Sequence, residues 1–191
     1  MDKIDNLIKN MNLDSCLSLE EIPDLDLYMD QVIQLFEKKY ANTKRTEEEK
    51  VLTKTMINNY AKGKLFFPIK NKKYSKEHVI LISMIYLMKS TLSINDVKQT
   101  LDKLNEKITE EEFDLQTMYK SYQRLLDSNV TLFTENMDKQ LGQVKKEAAK
   151  LENNDEEYLQ QFLLITALTS MSNFYRRAAE KIVDDLGKNE N

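Results

Sequence analysis

Apolar residues recur at helical spacing along most of the chain. Between Leu25 and Tyr40, the residues Leu25, Tyr28, Met29, Val32, Leu35 and Phe36 fall on one stripe. Ser18 and Glu21 precede them at capping-box spacing, so the pattern predicts a core-facing helix over 25–40. Residues 41–50, ANTKRTEEEK, have no apolar rhythm and read as a surface connection that runs into the next helix. Thr53 is placed to cap a short helix that reaches about Lys62, and Gly63 is the expected left-handed residue at its end.

On that short helix, successive residues turn by about 100°. Met56, Ile57, Tyr60 and Ala61 then share one arc, while Lys54, Thr55, Asn58, Asn59 and Lys62 fill the other. Leu65 to Ile69 predicts a short extended segment, Lys70-Asn71-Lys72 a turn, and Lys73-Tyr74 the return. Pro68 has no N–H to donate, which keeps such a hairpin short. Ser75 is placed to cap a helix that is apolar nearly all round from Val79 to Met88. Ser93 and Asp96 open another, with Ile94, Val97, Leu101 and Leu104 on its inner stripe.

Beyond residue 108 the pattern is helical throughout. Thr109 and Glu112 predict the start of a helix carrying Phe113, Met118, Tyr119, Tyr122, Leu125 and Leu126. A second helix is expected over about 131–151 and a long third over about 155–186. The apolar side of the third includes Tyr158, Phe162, Ile165, Leu168, Met171, Phe174, Tyr175, Ala178, Ile182 and Leu186, a broad stripe without a strict heptad. The expected class is mainly α, with a short β-wing at 65–74. It divides into a domain at 18–106 and a C-terminal helical bundle or hairpin at 109–187.

Composition narrows the chemistry. Three glycines, at 63, 142 and 187, stand too far apart for a glycine-rich phosphate loop. The single Cys16 and single His78 leave almost no soft-metal ligand set. Cys16 reads as a reduced apolar side chain and His78 as a first-turn helix residue. Carboxylate neighbours such as Glu111-Glu112 and Asp184-Asp185 diverge on helices, a poor arrangement for acid/base work. No enzyme, cofactor or metal is therefore expected. Without a basic start and apolar run at the N-terminus or a stretch long enough for a membrane helix, the expectation is a soluble, cytoplasmic protein.

Charge changes the picture most. The net −4 conceals a middle third, residues 42–100, at +7, between flanks of −5 and −6. The basic run from Leu52 to His78 has no acidic side chain before Glu77. A lysine-rich solvated surface would account for charge alone. The short helix adds two asparagines and a threonine to its polar arc, and asparagine is a poor helix former. Such groups hydrogen-bond base edges, while lysines neutralise phosphates.

The run Ile57-Asn58-Asn59-Tyr60-Ala61-Lys62-Gly63-Lys64-Leu65-Phe66-Phe67-Pro68, the closing Tyr74, and Thr91-Leu92-Ser93-Ile94-Asn95-Asp96-Val97 resemble the DNA-binding domain of MerR-type regulators, a winged helix-turn-helix. Lys64 stands at that family's turn glycine, and Asn58 and Asn59 stand where arginine and an aromatic are usual. The stretches IPDLDLYMDQV, LTKTMINNYAKGKL and KKYSKEHVILISMIYLMKSTLSINDVK look like the bacterial domain of unknown function 1836, over about residues 18 to 105.

The resemblance implies a transcriptional regulator that binds double-stranded DNA as a homodimer. Thr55, Asn58 and Asn59 would lie near base edges. Lys54, Lys62, Lys64, Lys70, Lys72 and Lys73 would bind phosphate, with Asn71 at the wing tip. Tyr60 matches a backbone-contacting tyrosine but lies on the core arc, so core packing with an exposed hydroxyl is expected. Phe162, Ile165, Phe174 and Tyr175 are the candidates for a dimer interface or for an organic or protein effector. The alternative is a helical interaction or adaptor protein that keeps the fold without binding DNA.

Overall fold

A computed structural model describes residues 10–13, 15–110, 113–151 and 154–188. Among them the protein is mainly helical, with one small sheet. Strand β1 (Leu27–Tyr28) leads into α1 (Met29–Tyr40) and a 3-10 turn (Ala41–Thr43). Then follow α2 (Lys54–Lys62), β2 (Lys73–Tyr74), α3 (Lys76–Met88), α4 (Ile94–Glu110), α5 (Leu115–Ala149) and α6 (Glu156–Lys188).

The first core is centred on α3. Its residues Val79 to Ile82 and Ile85 are inaccessible to solvent on every side, as their unbroken apolar run requires. Around it pack Val32, Phe36 and Tyr40 of α1, Ile57 and Tyr60 of α2, Val97 and Leu101 of α4, and Leu115 and Tyr119 of α5. A second, smaller core joins α5 to α6 through Met137, Leu141, Val144 and Leu164. Helix α5 belongs to both cores.

Several sequence expectations need correction. The first helix begins at Met29, not Leu25. Leu25 and Tyr28 are more than half exposed, and Leu27 is buried instead in β1. The Ser18–Glu21 capping bonds do form, at 2.8 and 3.3 Å, but they close a turn rather than start that helix. The helices expected over 113–126 and 131–151 are one continuous α5. The start at Thr109 is also displaced: Thr109 lies in α4, Asp114 caps α5 by accepting from Thr117 N–H at 2.9 Å, and Glu112, like Glu111, lies outside the described residues.

The largest correction concerns strand pairing. Between the two arms of the 65–74 segment only Lys70 and Lys73 bridge, while β2 pairs antiparallel with β1, Leu27 opposite Tyr74 and Tyr28 opposite Lys73. The partner strand comes from the residues read as the beginning of the first helix.

Candidate functional site

Thr53 caps α2 as expected, its hydroxyl accepting from Met56 N–H at 3.1 Å. Ile57 and Tyr60 are buried, while Lys54, Thr55, Asn58, Asn59 and Lys62 are all exposed. The polar arc therefore lies on one open face. Tyr60 departs from it: its hydroxyl is buried without a hydrogen-bond partner among the described residues, and burial raises its pKa to about 12. The exposed hydroxyl expected for Tyr60 is absent, because the whole ring turns into the first core.

At the end of α2 the left-handed residue is Lys64 (φ 55°), not Gly63 (φ −73°). Leu65 N–H donates to Tyr60 O at 3.0 Å and Lys64 N–H to Ala61 O at 3.1 Å, the paired bonds of a Schellman cap. Gly63 is crowded rather than left-handed. A β-carbon there would lie 2.7 Å from Leu65 Cδ1 and 3.2 Å from the carbonyl oxygen of Asn59.

The turn at Lys70–Lys73 has the same character. Lys73 N–H donates to Lys70 O at 2.9 Å, and both central residues have positive φ, Asn71 at 51° and Lys72 at 58°. This is the primed hairpin turn, in which asparagine is comfortable at the first position and glycine is preferred at the second. Lys64 and Lys72 are both exposed and both occupy left-handed positions where a lysine costs about 1–2 kcal/mol relative to glycine. Backbone stability alone would not select lysine at either.

The predicted basic set separates by partner. Lys54 is ion-paired with Asp30 at 2.8 Å, both side chains about two-thirds exposed, and Lys73 stands over the Tyr28 ring at 5.2 Å. Lys62, Lys64, Lys70 and Lys72 make no ion pair among the described residues, and Asn71 is exposed between the last two.

Three supporting residues escaped the sequence reading. His78 anchors the segment to α3. Its Nδ1 accepts from Ser75 N–H at 3.1 Å, so the proton sits on Nε2, which donates to Phe67 O at 3.1 Å. The ring lies 4.0 Å from that of Phe67, and burial lowers its pKa. His78 does stand in the first turn of its helix, as expected, but the bond to Phe67 is long-range and leaves no local signal.

Asn105 on α4 donates to Leu65 O at 3.1 Å and fixes the turn that carries Lys64. An asparagine inside a helix was the available hint. Lys89, at the C-terminal end of α3, is half-buried 3.8 Å from Met56 Sδ and 5.1 Å above the Tyr86 ring, and burial lowers its pKa.

The four predicted dimer or effector residues, Phe162, Ile165, Phe174 and Tyr175, are each at least half exposed. They do not form one surface. With about 100° per residue, Tyr158, Phe162, Ile165, Thr169 and Ser172 fall within an arc of about 80°, at alternating spacings of four and three, while Tyr175 lies about 100° and Phe174 about 160° from its centre. Residues 158–175 contain no charged side chain. Helix α6 buries Leu164 against α5, then Val183 against α4, where Gln99 donates to Val183 O at 2.9 Å.

The family model for a domain of unknown function, DUF1836, matches residues 17–122. The chain belongs to the DUF1836 family. The DUF1836 match covers β1 through the first part of α5, so it includes the first core and the whole basic face. No curated protein and no solved structure matches the chain. Among the described residues no helix is long and apolar enough to cross a membrane, and no three His, Cys, Asp or Glu side chains gather as metal ligands do.

Proposed function

We propose that this DUF1836 protein is a cytoplasmic, non-enzymatic transcriptional regulator that binds double-stranded DNA as a homodimer through a MerR-like winged helix-turn-helix. In this reading α2 enters the major groove. Asn58 and Asn59 are offered to base edges, where asparagine pairs with adenine, and Thr55 lies beside them. Lys62 and Lys64 at the end of α2, and Lys70 and Lys72 around the hairpin turn, contact phosphates. Lys54 joins only by exchanging Asp30 for a phosphate, which costs little because an exposed ion pair is worth at most about 1 kcal/mol.

The observation that carries the reading is the pair Lys64 and Lys72. Each is exposed and makes no ion pair among the described residues, at a backbone position where glycine is cheaper, and they lie at the two ends of the segment beside α2. The charge-free face of α6 centred on Phe162 and Ile165 supports self-association. A helix surface of about 27 Å without a charge is matched by a second copy of itself, and Thr169 and Ser172 allow close approach.

A salt titration with genomic duplex fragments tests this. Four unpaired lysines in each of two protomers are expected to give a slope of log K against log salt of about −7. No binding to any fragment at low salt would sink the proposal. The alternative, a helical adaptor acting through its C-terminal hairpin, is favoured by the exposed Phe174 and Tyr175, which lie off the proposed dimer face.

A further inference from the structure

The open stripe of α6 is graded in size. Tyr158 and Phe162 stand at its N-terminal end, Ile165 in the middle, and Thr169 and Ser172 at its C-terminal end, over about 21 Å at 1.5 Å per residue. Tyr158, Phe162 and Ile165 are half or more exposed, and Thr169 and Ser172 are exposed beside them. Charges bracket the stripe. Asp155 precedes it at about 60° from the line of Tyr158, and Arg176 follows it on that line. Farther along, the same side of α6 is occupied. Val183, about 20° from the line, is buried against α4, and a β-carbon on Gly187 would collide with the amide of Gln99. The open surface is therefore bounded, acidic at one end and basic at the other.

We infer that a second copy of this chain covers the stripe with its own α6 running antiparallel, about a two-fold axis at Ile165; the inference rests on the homodimer proposed above and specifies how it is built. Opposite directions set Tyr158 of each helix against Ser172 of the other, and Phe162 beside Thr169. Large side chains then fill the space left by small ones at an interhelical separation of about 8–10 Å. Asp155 of one helix comes level with Arg176 of the other, about 15 and 16.5 Å from the axis. Arg176 already pairs with Glu180 at 2.6 Å, and its guanidinium has donors left for a second carboxylate. Parallel helices fail on each count. Tyr158 would meet Tyr158, Thr169 would face Thr169 across a gap, like charges would stand opposite at both ends, and the helix dipoles would align. Val183, already under α4, would also have to approach its own copy. Size and charge are complementary to themselves only in reverse, which selects a second copy over an unrelated apolar helix.

Charge reversal in the full-length protein tests the direction. Asp155→Arg or Arg176→Glu alone sets like charges opposite each other and should weaken dimerisation in sedimentation by about threefold to tenfold. The two substitutions together should restore it, which only an antiparallel pair allows. Cysteine pairing gives an independent reading. Tyr158→Cys and Ser172→Cys, mixed and oxidised, should yield a disulfide joining positions 158 and 172, which requires α-carbons within about 7 Å. Within one chain these positions are about 21 Å apart, so the bond must join two copies. The parent, whose single thiol is the half-buried Cys16, is the control. None of the four side chains is buried, so the substitutions leave the folded chain intact. Single reversals without effect, a double reversal that fails to restore dimerisation, or Tyr158→Cys linked chiefly to itself would each overturn the antiparallel pairing and leave a DNA-binding dimer standing. A parent that sediments as a monomer at every concentration would overturn both the pairing and the homodimer on which it rests.

Discussion

Replacing Lys64 by glycine is expected to stabilise the protein and weaken its hold on DNA. Lys64 has φ 55°, where the β-carbon of an L residue crowds its own carbonyl at a cost of about 1–2 kcal/mol. Glycine removes that cost, while the added freedom of the unfolded chain returns about 0.5–1 kcal/mol of it. The lysine side chain is exposed and holds no hydrogen bond or ion pair among the described residues, so little else is lost. The net expectation is a gain of about 0.5–1 kcal/mol, or roughly 1–4 °C in Tm for a chain of this length. Lys64→Ala keeps the β-carbon and removes only the ammonium, so it should leave stability nearly unchanged. Urea unfolding at constant slope reads these differences as shifts in midpoint. On DNA both variants should flatten the salt slope by about 0.9 per protomer. A neutral or destabilised Lys64→Gly would refute the strain argument. A stabilised variant with an unchanged salt slope would refute the phosphate contact.

Tyr60→Phe removes a buried hydroxyl that has no partner among the described residues and should raise stability by about 1 kcal/mol without altering DNA affinity; a clear loss in urea unfolding would mean that the hydroxyl is bonded. Gly63→Ala should cost about 1–3 kcal/mol, since its methyl meets Leu65 and the Asn59 carbonyl; a variant as stable as the parent would show that both neighbours move aside freely. His78 is buried neutral, with its folded pKa lowered mainly by burial against weaker opposing effects of the Phe67 carbonyl, Glu77, the Pro68 backbone and Asp26. The unfolded chain therefore takes up its proton first, so this contribution is complete above about pH 6.5 and is lost as pH falls through the folded value. His78→Ala should remove that part of the acid dependence, and an unaltered pH profile of thermal unfolding would contradict it. Ile165→Lys places a charge in the uncharged face of α6, and sedimentation should show a folded monomer. A dimer that persists would locate self-association elsewhere.

What the sequence made legible was local. The Thr53 and Ser75 caps, the two arcs of α2 and the all-round burial of α3 depend on residues within one or two turns of each other. The errors have a common cause in partners distant along the chain. Leu27 carries no mark of pairing with Tyr74, yet that contact ends the apolar pattern which otherwise extends the first helix back to Leu25. The stripe on α6 looked broad because two separate stripes were superposed. One is buried against α5 and the other stays open near the hairpin, and only the packing divides them. Gly63 attracted the left-handed assignment by residue type, while the cap geometry gave that conformation to Lys64 and reserved glycine for a close approach.

Charge shows the same dependence on distant contacts, and it sharpens the basic face. Along the chain the acidic N-terminal flank and the basic middle look like separate regions. In the fold, β1 and the start of α1 lie beside the basic segment: Asp24 meets Lys76 at 2.6 Å, Asp30 meets Lys54 at 2.8 Å, and the Tyr28 ring receives Lys73. These three lysines are taken up by residues 24–30. Lys62, Lys64, Lys70 and Lys72 are left at the end of α2 and around the hairpin turn, beyond the reach of those partners. Two of the four, Lys64 and Lys72, stand at left-handed positions, which an evenly solvated lysine surface gives no reason to fill with lysine. On the proposed DNA-binding reading, the inner pairs hold the segment on its support while the outer ammonium groups remain available to phosphate.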